Sequence, residues 1–218
     1  MMLRWLLLGC LGWGSVHAAD MIELRYRDQD PGTPAYLTRI LVTPHFMRMD
    51  DGVDGGDFFL LDRKQRKMMN IMRENKMAMV FKPGKVPAKP KTWQPKLETR
   101  EVSPGTTGFK LSVKDVVCSE GVAALKAAPD VARAMAEMKA VLAGMQYRVW
   151  NETVPSMQYD CDLANHVWET DTTLKLGLPL KEREFTGRTR VFERETRLPL
   201  NPKLFRVPAG LPLVDAPS

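Results

Sequence analysis

The sequence is poor in the residues from which metal centres and nucleophilic sites are built. It has three histidines and three cysteines in 218 residues. Beyond the N-terminal segment only His45 and His166 remain, far apart and without neighbours at a zinc-ligand spacing, so no metal ligand is assigned. There is no CxxC pair, no GxSxG elbow and no Cys/His arrangement for nucleophilic catalysis. A glycine-rich phosphate loop is missing too: Gly52-Val53-Asp54-Gly55-Gly56 opens no helix and ends no parallel strand. After the N-terminus no stretch of ~20 apolar residues occurs, which excludes an internal membrane span. No internal repeat is visible. These absences leave no catalytic residue, no metal and no cofactor to name, and the expectation is a protein that is not an enzyme.

What is present is the composition of a chain that builds a core. It is 44% hydrophobic and 27% charged, with 15 Gly and 16 Pro, unlike a disordered or collagen-like sequence. The length allows one domain, or at most two small ones.

Residues 1–18, MMLRWLLLGCLGWGSVHA, have the layout of a secretory signal. Arg4 is the charged n-region, Trp5 to Trp13 the short apolar run, and Val16-His17-Ala18 places small residues where a signal peptidase inspects them. Gly9, Gly12 and Gly14 argue against a buried helix here. Cleavage between Ala18 and Ala19 removes Arg4 and leaves 31 basic against 26 acidic residues, a charge of +5. Cys10, after Leu7-Leu8-Gly9, faintly resembles a lipobox, and lipidation there is the alternative. Cleavage also leaves Cys118 and Cys161 as the remaining thiols. Two thiols in an exported chain most simply form one disulfide, with a catalytic thiol or lone buried thiols as the competing readings.

The first half alternates with the period of strands. In Met21 to Arg27, Ile22, Leu24 and Tyr26 share one face. Asp30-Pro31-Gly32 is a turn signal, followed by strands at Tyr36 to Val42 and, after Pro44, Phe46 to Met49. Asp50 to Asp57 is a Gly/Asp turn before a short strand at Phe58 to Leu61. Lys67 to Arg73 and Lys76 to Phe81 read as a hairpin around Glu74-Asn75. Closely spaced strands without intervening helices argue an antiparallel meander. Lys82 to Lys96 holds five Lys and four Pro and is expected to be an extended surface loop. Phe109 to Cys118 returns to strand. Residues 119–144 are the helical insert, a hairpin or one broken helix, with Val131, Met135, Met138 and Leu142 on one face and Gly144 as the C-terminal cap. Cys161 to Trp168 is a second short helix. Leu178 to Phe185 and Arg188 to Arg197 form a last hairpin. Residues 19–198 are thus one sheet domain, and 199–218, with five Pro, an irregular tail.

Several features carry chemistry only on one of two readings. Asp50, Asp51, Asp54 and Asp57 cluster as oxygen ligands do but lack the spacing and distal Glu of an EF-hand, so a solvated turn is the expectation. Met68, Met69, Met72, Met77 and Met79 crowd one hairpin. Thioethers bind copper(I), but with no His or Cys nearby they read as core or as a pliable apolar groove, with Met69, Ile71, Met77, Met79 and Phe81 as the candidate ligand contacts. The hairpin alternates loosely, so both faces of the sheet are expected to be covered. Arg63-Lys64-Gln65-Arg66-Lys67 and the Lys/Pro segment beside Trp93 form a basic region. Solubility or contact with an anionic surface accounts for it, and nucleic acid is not expected as a partner of an exported protein. Asn151-Glu152-Thr153 is a chance-level sequon. Glu182 and Glu184, among Lys181, Arg183, Arg188 and Arg190, look like a solvated strand face.

From Phe46 to Phe81 the residues resemble a known pattern. Phe46-Met47-Arg48-Met49-Asp50, a Gly-rich turn, Phe58-Phe59-Leu60-Leu61-Asp62-Arg63 and a hairpin ending Met79-Val80-Phe81 are similar to uncharacterised bacterial envelope proteins of the outer-membrane lipoprotein carrier-like superfamily. Cys161-Asp162-Leu163-Ala164, Gly177-Leu178-Pro179 and Gly187-Arg188 add to the likeness. The resemblance implies an α+β fold, a curved, half-barrel-like antiparallel sheet backed by a helical segment, in the periplasm. It implies a cavity for a lipid or other amphiphile. The long Lys/Pro segment departs from the pattern. The alternatives are an envelope structural or protein-interaction module without a small ligand and, last, a hydrolase built on His166 near Asp160 and Asp162.

Overall fold

The computed structural model describes residues 20–216. The signal-like segment, its expected cleavage point at Ala18–Ala19 and Cys10 lie outside the described residues. Twelve strands form one large, open, curved sheet. In chain order they are β1 (Asp20–Gln29), β2 (Tyr36–Val42), β3 (Phe46–Asp50), β4 (Phe58–Asp62), β5 (Lys67–Met72), β6 (Met77–Phe81), β7 (Pro95–Ser103), β8 (Thr106–Val113), β9 (Val116–Leu125), β10 (Gly177–Glu184), β11 (Thr189–Pro199) and β12 (Leu213–Asp215). Two helices lie between β9 and β10: α1 (Pro129–Glu152) and the short α2 (Asp160–Leu163), which runs on into a wider π turn at Ala164–Trp168. No helix among the described residues is long and apolar enough to cross a membrane.

The strand order is β12-β6-β5-β4-β3-β2-β1-β11-β10-β9-β8-β7. The final hairpin β10–β11 closes the gap between the first meander and β9, pairing β11 with β1 along its whole length. Every pairing is antiparallel except that of β12, which runs parallel to β6. Strict alternation then assigns side chains to faces. Register places Leu24 opposite Ile40, Val42 opposite Met47 and Met47 opposite Leu61, and these join Val131 and Met135 of α1 in one core. The other face of β2–β6 buries Leu41, Leu60, Met69, Ile71 and Val80 beneath Leu204 and Phe205. Both faces of this half of the sheet are covered, as the loose alternation of the Met-rich hairpin predicts.

Three expectations are corrected. The helix does not begin at Ser119. Residues 119–125 belong to β9, pairing with both β8 and β10, and α1 starts at Pro129, where proline's fixed φ suits a first helical turn. It is one continuous helix that passes Gly144 and ends at Glu152. Gly144 is a notch rather than a cap: a Cβ there would come within 2.6 Å of the Gly84 backbone, so two glycines let the Lys/Pro loop cross the helix. Second, Phe109 to Cys118 is not one strand but β8, a turn at Lys114-Asp115, and the start of β9. Both turn residues have positive φ, 48° and 66°, the conformation of a tight hairpin whose usual asparagine and glycine are absent here. Third, the segment after residue 199 is ordered over much of its length. A 3₁₀ turn at Pro202–Phe205 seats Leu204 and Phe205 on the sheet, and β12 follows. β7 was not anticipated at all.

Candidate functional site

The sheet is wider than the helix that covers it. α1 crosses from β10 to β5, touching β2 between, and stands off the curved surface along part of its length. Ile40, Met47 and Met49 below and Met135, Met138 and Leu142 above bound a cavity of about 220 Å³. Apart from Leu174 its remaining wall is polar, made mainly by Lys139 and Gln146 of α1, His166 of the π turn, Glu182 and Glu184 of β10, Arg188 at the β10–β11 turn and Arg190 of β11. A second compartment of about 410 Å³ adjoins it over β2–β5, sharing Met49, Arg188 and Arg190 and adding Tyr36, Phe59 and Asn70. The arrangement is therefore two compartments with apolar floors that meet at Met49, Arg188 and Arg190, the second also bordered by Asp50, Asp51 and Asp57.

Two ion-pair networks fix this floor. Asp28 is fully buried and accepts hydrogen bonds from Thr38 Oγ1 (2.8 Å) and from Arg190 Nε (2.8 Å) and Nη2 (2.6 Å), with Arg188 at 3.4 Å. Burial opposes ionisation of Asp28, but these donors outweigh it and hold its carboxyl below the ordinary carboxylate range. Arg190 lies 4.9 Å from the centre of the Tyr26 ring. The Tyr26 hydroxyl is sealed from solvent and has no hydrogen-bond partner, and burial drives its pKa well above the usual value. On the opposite face of β2, one residue on from Thr38, Arg39 donates to both oxygens of Asp50 (2.8 Å each) and to Asp54 (2.7 Å). Arg48, fully buried, also binds Asp50, stacks on Phe58 at 4.0 Å and donates to Leu204 O at 2.9 Å. Burial again opposes ionisation of Asp50, and Arg39, the Gly52 N–H and Arg48 overcome it. Sequence reading treated Asp50 to Asp57 as a solvated turn. The structure instead uses Asp50 and Asp54 to neutralise buried arginines, while Asp51 and Asp57 accept from the Val53 and Arg73 N–H groups.

His166 faces the cavity. Desolvation, followed by the positive charges of Lys139 and Arg188, lowers its pKa to about 4, so the imidazole is neutral at pH 7. It forms no hydrogen bond to a carboxylate or hydroxyl among the described residues. Asp160 is paired with Lys114 at 2.8 Å, and Asp162 is raised by burial and then by Glu184. The geometry of a His-based nucleophile is thus not assembled there.

The Met-rich hairpin divides between the faces. Of the five candidate contacts, Met69 and Ile71 are buried under the C-terminal segment. Met77 and Met79 are half-buried and share the other face with Phe81, opposite Met72, Asn70 and Met68. Phe81 lines a separate depression of about 620 Å³ beside Val141, Gly144 and Met145 of α1. The cavity's own lining came from residues whose periodicity was visible, Met135, Met138 and Leu142, and from Glu182 and Glu184, read as solvent-facing. The signal for the latter was the exposure alternation itself: Lys181 and Arg183 point out, and Glu182 and Glu184 are half-buried.

Cys118 and Cys161 form a disulfide with a Cα–Cα distance of 4.8 Å, tying α2 to β9. Both sulfurs lie in a third small core with Leu111, Val113 and Ala164. The Lys/Pro loop is pinned across this region: Trp93 and Trp168 pack edge to face at 4.5 Å, and Glu169 accepts from Trp93 Nε1 (3.0 Å) and Lys89 Nζ (2.6 Å).

No family model matches this chain, and no curated protein matches it. Among solved structures it is similar to PNGF-II in two crystal forms. Both are 12% identical over 91% of this chain, with TM-scores of 0.39 and 0.38. The chain spans about a third of the length of those proteins, 32% and 31%. It is also similar to a LolA superfamily protein from Nitrosomonas europaea, at 7% identity, a TM-score of 0.33, and coverage of 87% of this chain and 90% of that one. That neighbour belongs to the superfamily whose pattern Phe46 to Phe81 resembles, but likenesses this distant identify neither a family nor an activity.

Proposed function

We propose that this is an exported, non-enzymatic protein that holds an amphiphilic ligand, a lipid or a molecule like one, in the cleft between α1 and the sheet. The observation that carries the reading is the unfilled space of about 220 Å³ under the helix, methionine-rich on one side and charged on the other. Methionine is flexible and polarisable, so seven apolar lining residues of which four are Met adapt to a chain without a fixed shape. At roughly 30 Å³ per methylene the 220 Å³ cavity takes about seven, and at ~0.8 kcal/mol each the gross gain is about 6 kcal/mol. A longer tail continues into the adjoining 410 Å³ compartment over Phe59. Met77 and Met79, half-buried on the same face, extend the apolar surface in that direction. Lys139 and Arg188 sit where a headgroup emerges. The disulfide supports an oxidising compartment, hence export and the periplasm.

Protein purified from its producing cells without detergent should carry lipid detectable by native mass spectrometry and should bind fluorescent acyl probes. Lipid-free protein that also ignores such probes refutes the reading. A second reading, an envelope interaction module, draws on β7. Its nine residues form a sheet edge paired only to β8, with side chains exposed at all but one position, a form suited to strand addition. Capture of a partner that β7 variants lose, in protein that binds no amphiphile, would favour it.

A further inference from the structure

We infer that the polar end of the cleft recognises a zwitterionic headgroup carrying both a phosphate and a primary ammonium. This inference rests on the amphiphile reading above and specifies its ligand. Lys139 comes from α1 above the cavity, Glu182 and Glu184 from β10 below it, and Arg188 from the turn at its end. Several charges around the cleft are matched within the protein: Asp28 to Arg190 and, at 3.4 Å, to Arg188; Asp30 to Arg188 at 3.6 Å; Arg63 to Glu137 at 2.6 Å. Lys139, Glu182 and Glu184 are not. All three are half-buried, all border one cavity of about 220 Å³, and none has an ion-pair partner among the described residues.

Opposite charges that share a confined space without meeting are complementary to a ligand that brings both signs. A fatty acid would satisfy Lys139 and would place its carboxylate near Glu184 and Glu182, of which only Glu182 has a cation, Arg190, directly across the strand pair, and the repulsion is strengthened by partial burial. A cationic amphiphile meets the reverse problem at Lys139. A neutral headgroup leaves Lys139, Glu182 and Glu184 partly desolvated without an ion-pair partner, which is the costly case. A phosphate against Lys139, with Arg188 beside it still held by Asp28 and Asp30, and an ammonium against Glu184 and Glu182 compensates both walls. The carboxylates are acceptors only, so a primary ammonium, with three N–H donors, fits them better than a quaternary one. His166, which has no hydrogen-bond partner and borders the same space, offers a donor or an acceptor to the headgroup without adding charge.

The test is competition against a bound fluorescent acyl probe, using lysolipids of one chain length with phosphoethanolamine, phosphocholine or phosphoglycerol headgroups, and the corresponding fatty acid. The phosphoethanolamine lipid should bind about tenfold more tightly than the phosphoglycerol lipid and the fatty acid, with phosphocholine between. Glu182→Gln and Glu184→Gln, singly and together, should erase most of the preference over phosphoglycerol. Lys139→Met should weaken every phosphate-bearing lipid. Equal affinity for all headgroups, or a preference that survives both glutamine substitutions, overturns the inference and leaves the amphiphile reading standing. Failure of every amphiphile to displace the probe, or of the probe to bind, overturns both. If the double variant does not fold, the single variants and the wild-type order of headgroups still decide.

Discussion

Reduction of the Cys118–Cys161 bond should lower stability by an amount set by the loop it closes. The cysteines are 43 residues apart, and in the chain-entropy model closing such a loop removes enough freedom from the unfolded chain to stabilise the fold by about 4 kcal/mol at 25 °C. For a chain of this size each kcal/mol moves the thermal midpoint by roughly 2–4 °C, so the reduced protein should melt about 8–16 °C lower. The loss should have a local component as well. Cys118 and Cys161 are buried with Leu111, Val113 and Ala164, and the Cys118 carbonyl accepts from Asn165 Nδ2 (3.0 Å) and Phe185 N (3.0 Å), so this end of the sheet should open first. The assay is thermal unfolding of one preparation, oxidised and after refolding in a phosphine reductant, with thiols counted in denaturant. Two free thiols in oxidised protein purified from the cell envelope would refute the pairing and with it the support for export. A bridge that is present but shifts the midpoint by less than about 2 °C would refute the loop-closure reasoning.

Other consequences can be measured on the same protein. Tyr26→Phe removes a buried hydroxyl that has no partner, so it should stabilise by about 1 kcal/mol and raise the midpoint by about 2–4 °C; a lower midpoint means the hydroxyl is satisfied. His166, with a pKa of about 4 when folded against an ordinary 6.5, binds its proton more readily in the unfolded chain. Stability should therefore fall as pH drops from about 6.5 towards 4, with a slope of at most about 1.4 kcal/mol per pH unit, and His166→Gln should flatten that segment. The carboxyls of Asp28 and Asp50 are also held below their ordinary values, here in favour of the charged form: their stabilisation is complete above about pH 4 and is lost as pH falls through their depressed values. Acid unfolding that is complete before pH 4 would contradict this. Gly144→Ala gains about 1 kcal/mol of helix propensity but drives a Cβ to 2.6 Å from Gly84, so the net effect should be destabilising and limited proteolysis should cut faster within residues 82–94.

The strands of the first half were legible from the alternation of β1 and, where both faces are buried, from short apolar runs separated by turn signals. The second half was less so, for identifiable reasons. Lys114-Asp115 turns the chain with positive φ at two residues that carry no turn signature, so β8 and β9 merge when read as sequence. Ser119-Glu120 followed by small residues imitates a helix start, yet only pairing on both sides, with β8 and β10, holds the segment extended. β7 has almost no buried side chain, so it carries no alternation to detect. The cleft was legible in halves. The Met135, Met138 and Leu142 stripe is periodic, whereas Glu182 and Glu184 are indistinguishable from solvent-facing residues until β10 is known to lie under the helix. Arg48 and Asp50 are adjacent on alternate positions in a strand, and nothing local announces that both are buried.

The cleft follows from the mismatch between a straight rod and a curved sheet, and that origin makes a prediction of its own. α1 has 24 residues, about 36 Å of helix, and reaches from β5 to β10. In the strand order these are six spacings apart, about 29 Å at ~4.8 Å each, so the helix crosses the strands rather than running along one of them. Laid over a curved surface, such a helix packs at β5, β2 and β10 and leaves space beside those contacts, where Met138 and Leu142 face Ile40, Met47 and Met49. If the space there is truly unfilled, Leu142→Phe should be accommodated and should stabilise by about 0.5–1 kcal/mol while weakening acyl-probe binding several-fold. The same enlargement in the packed opposite face, Ile71→Phe, should cost about 1–3 kcal/mol and leave probe binding intact in the folded fraction. Equal destabilisation by both substitutions would mean that the helix is seated tightly and the cleft does not exist in solution.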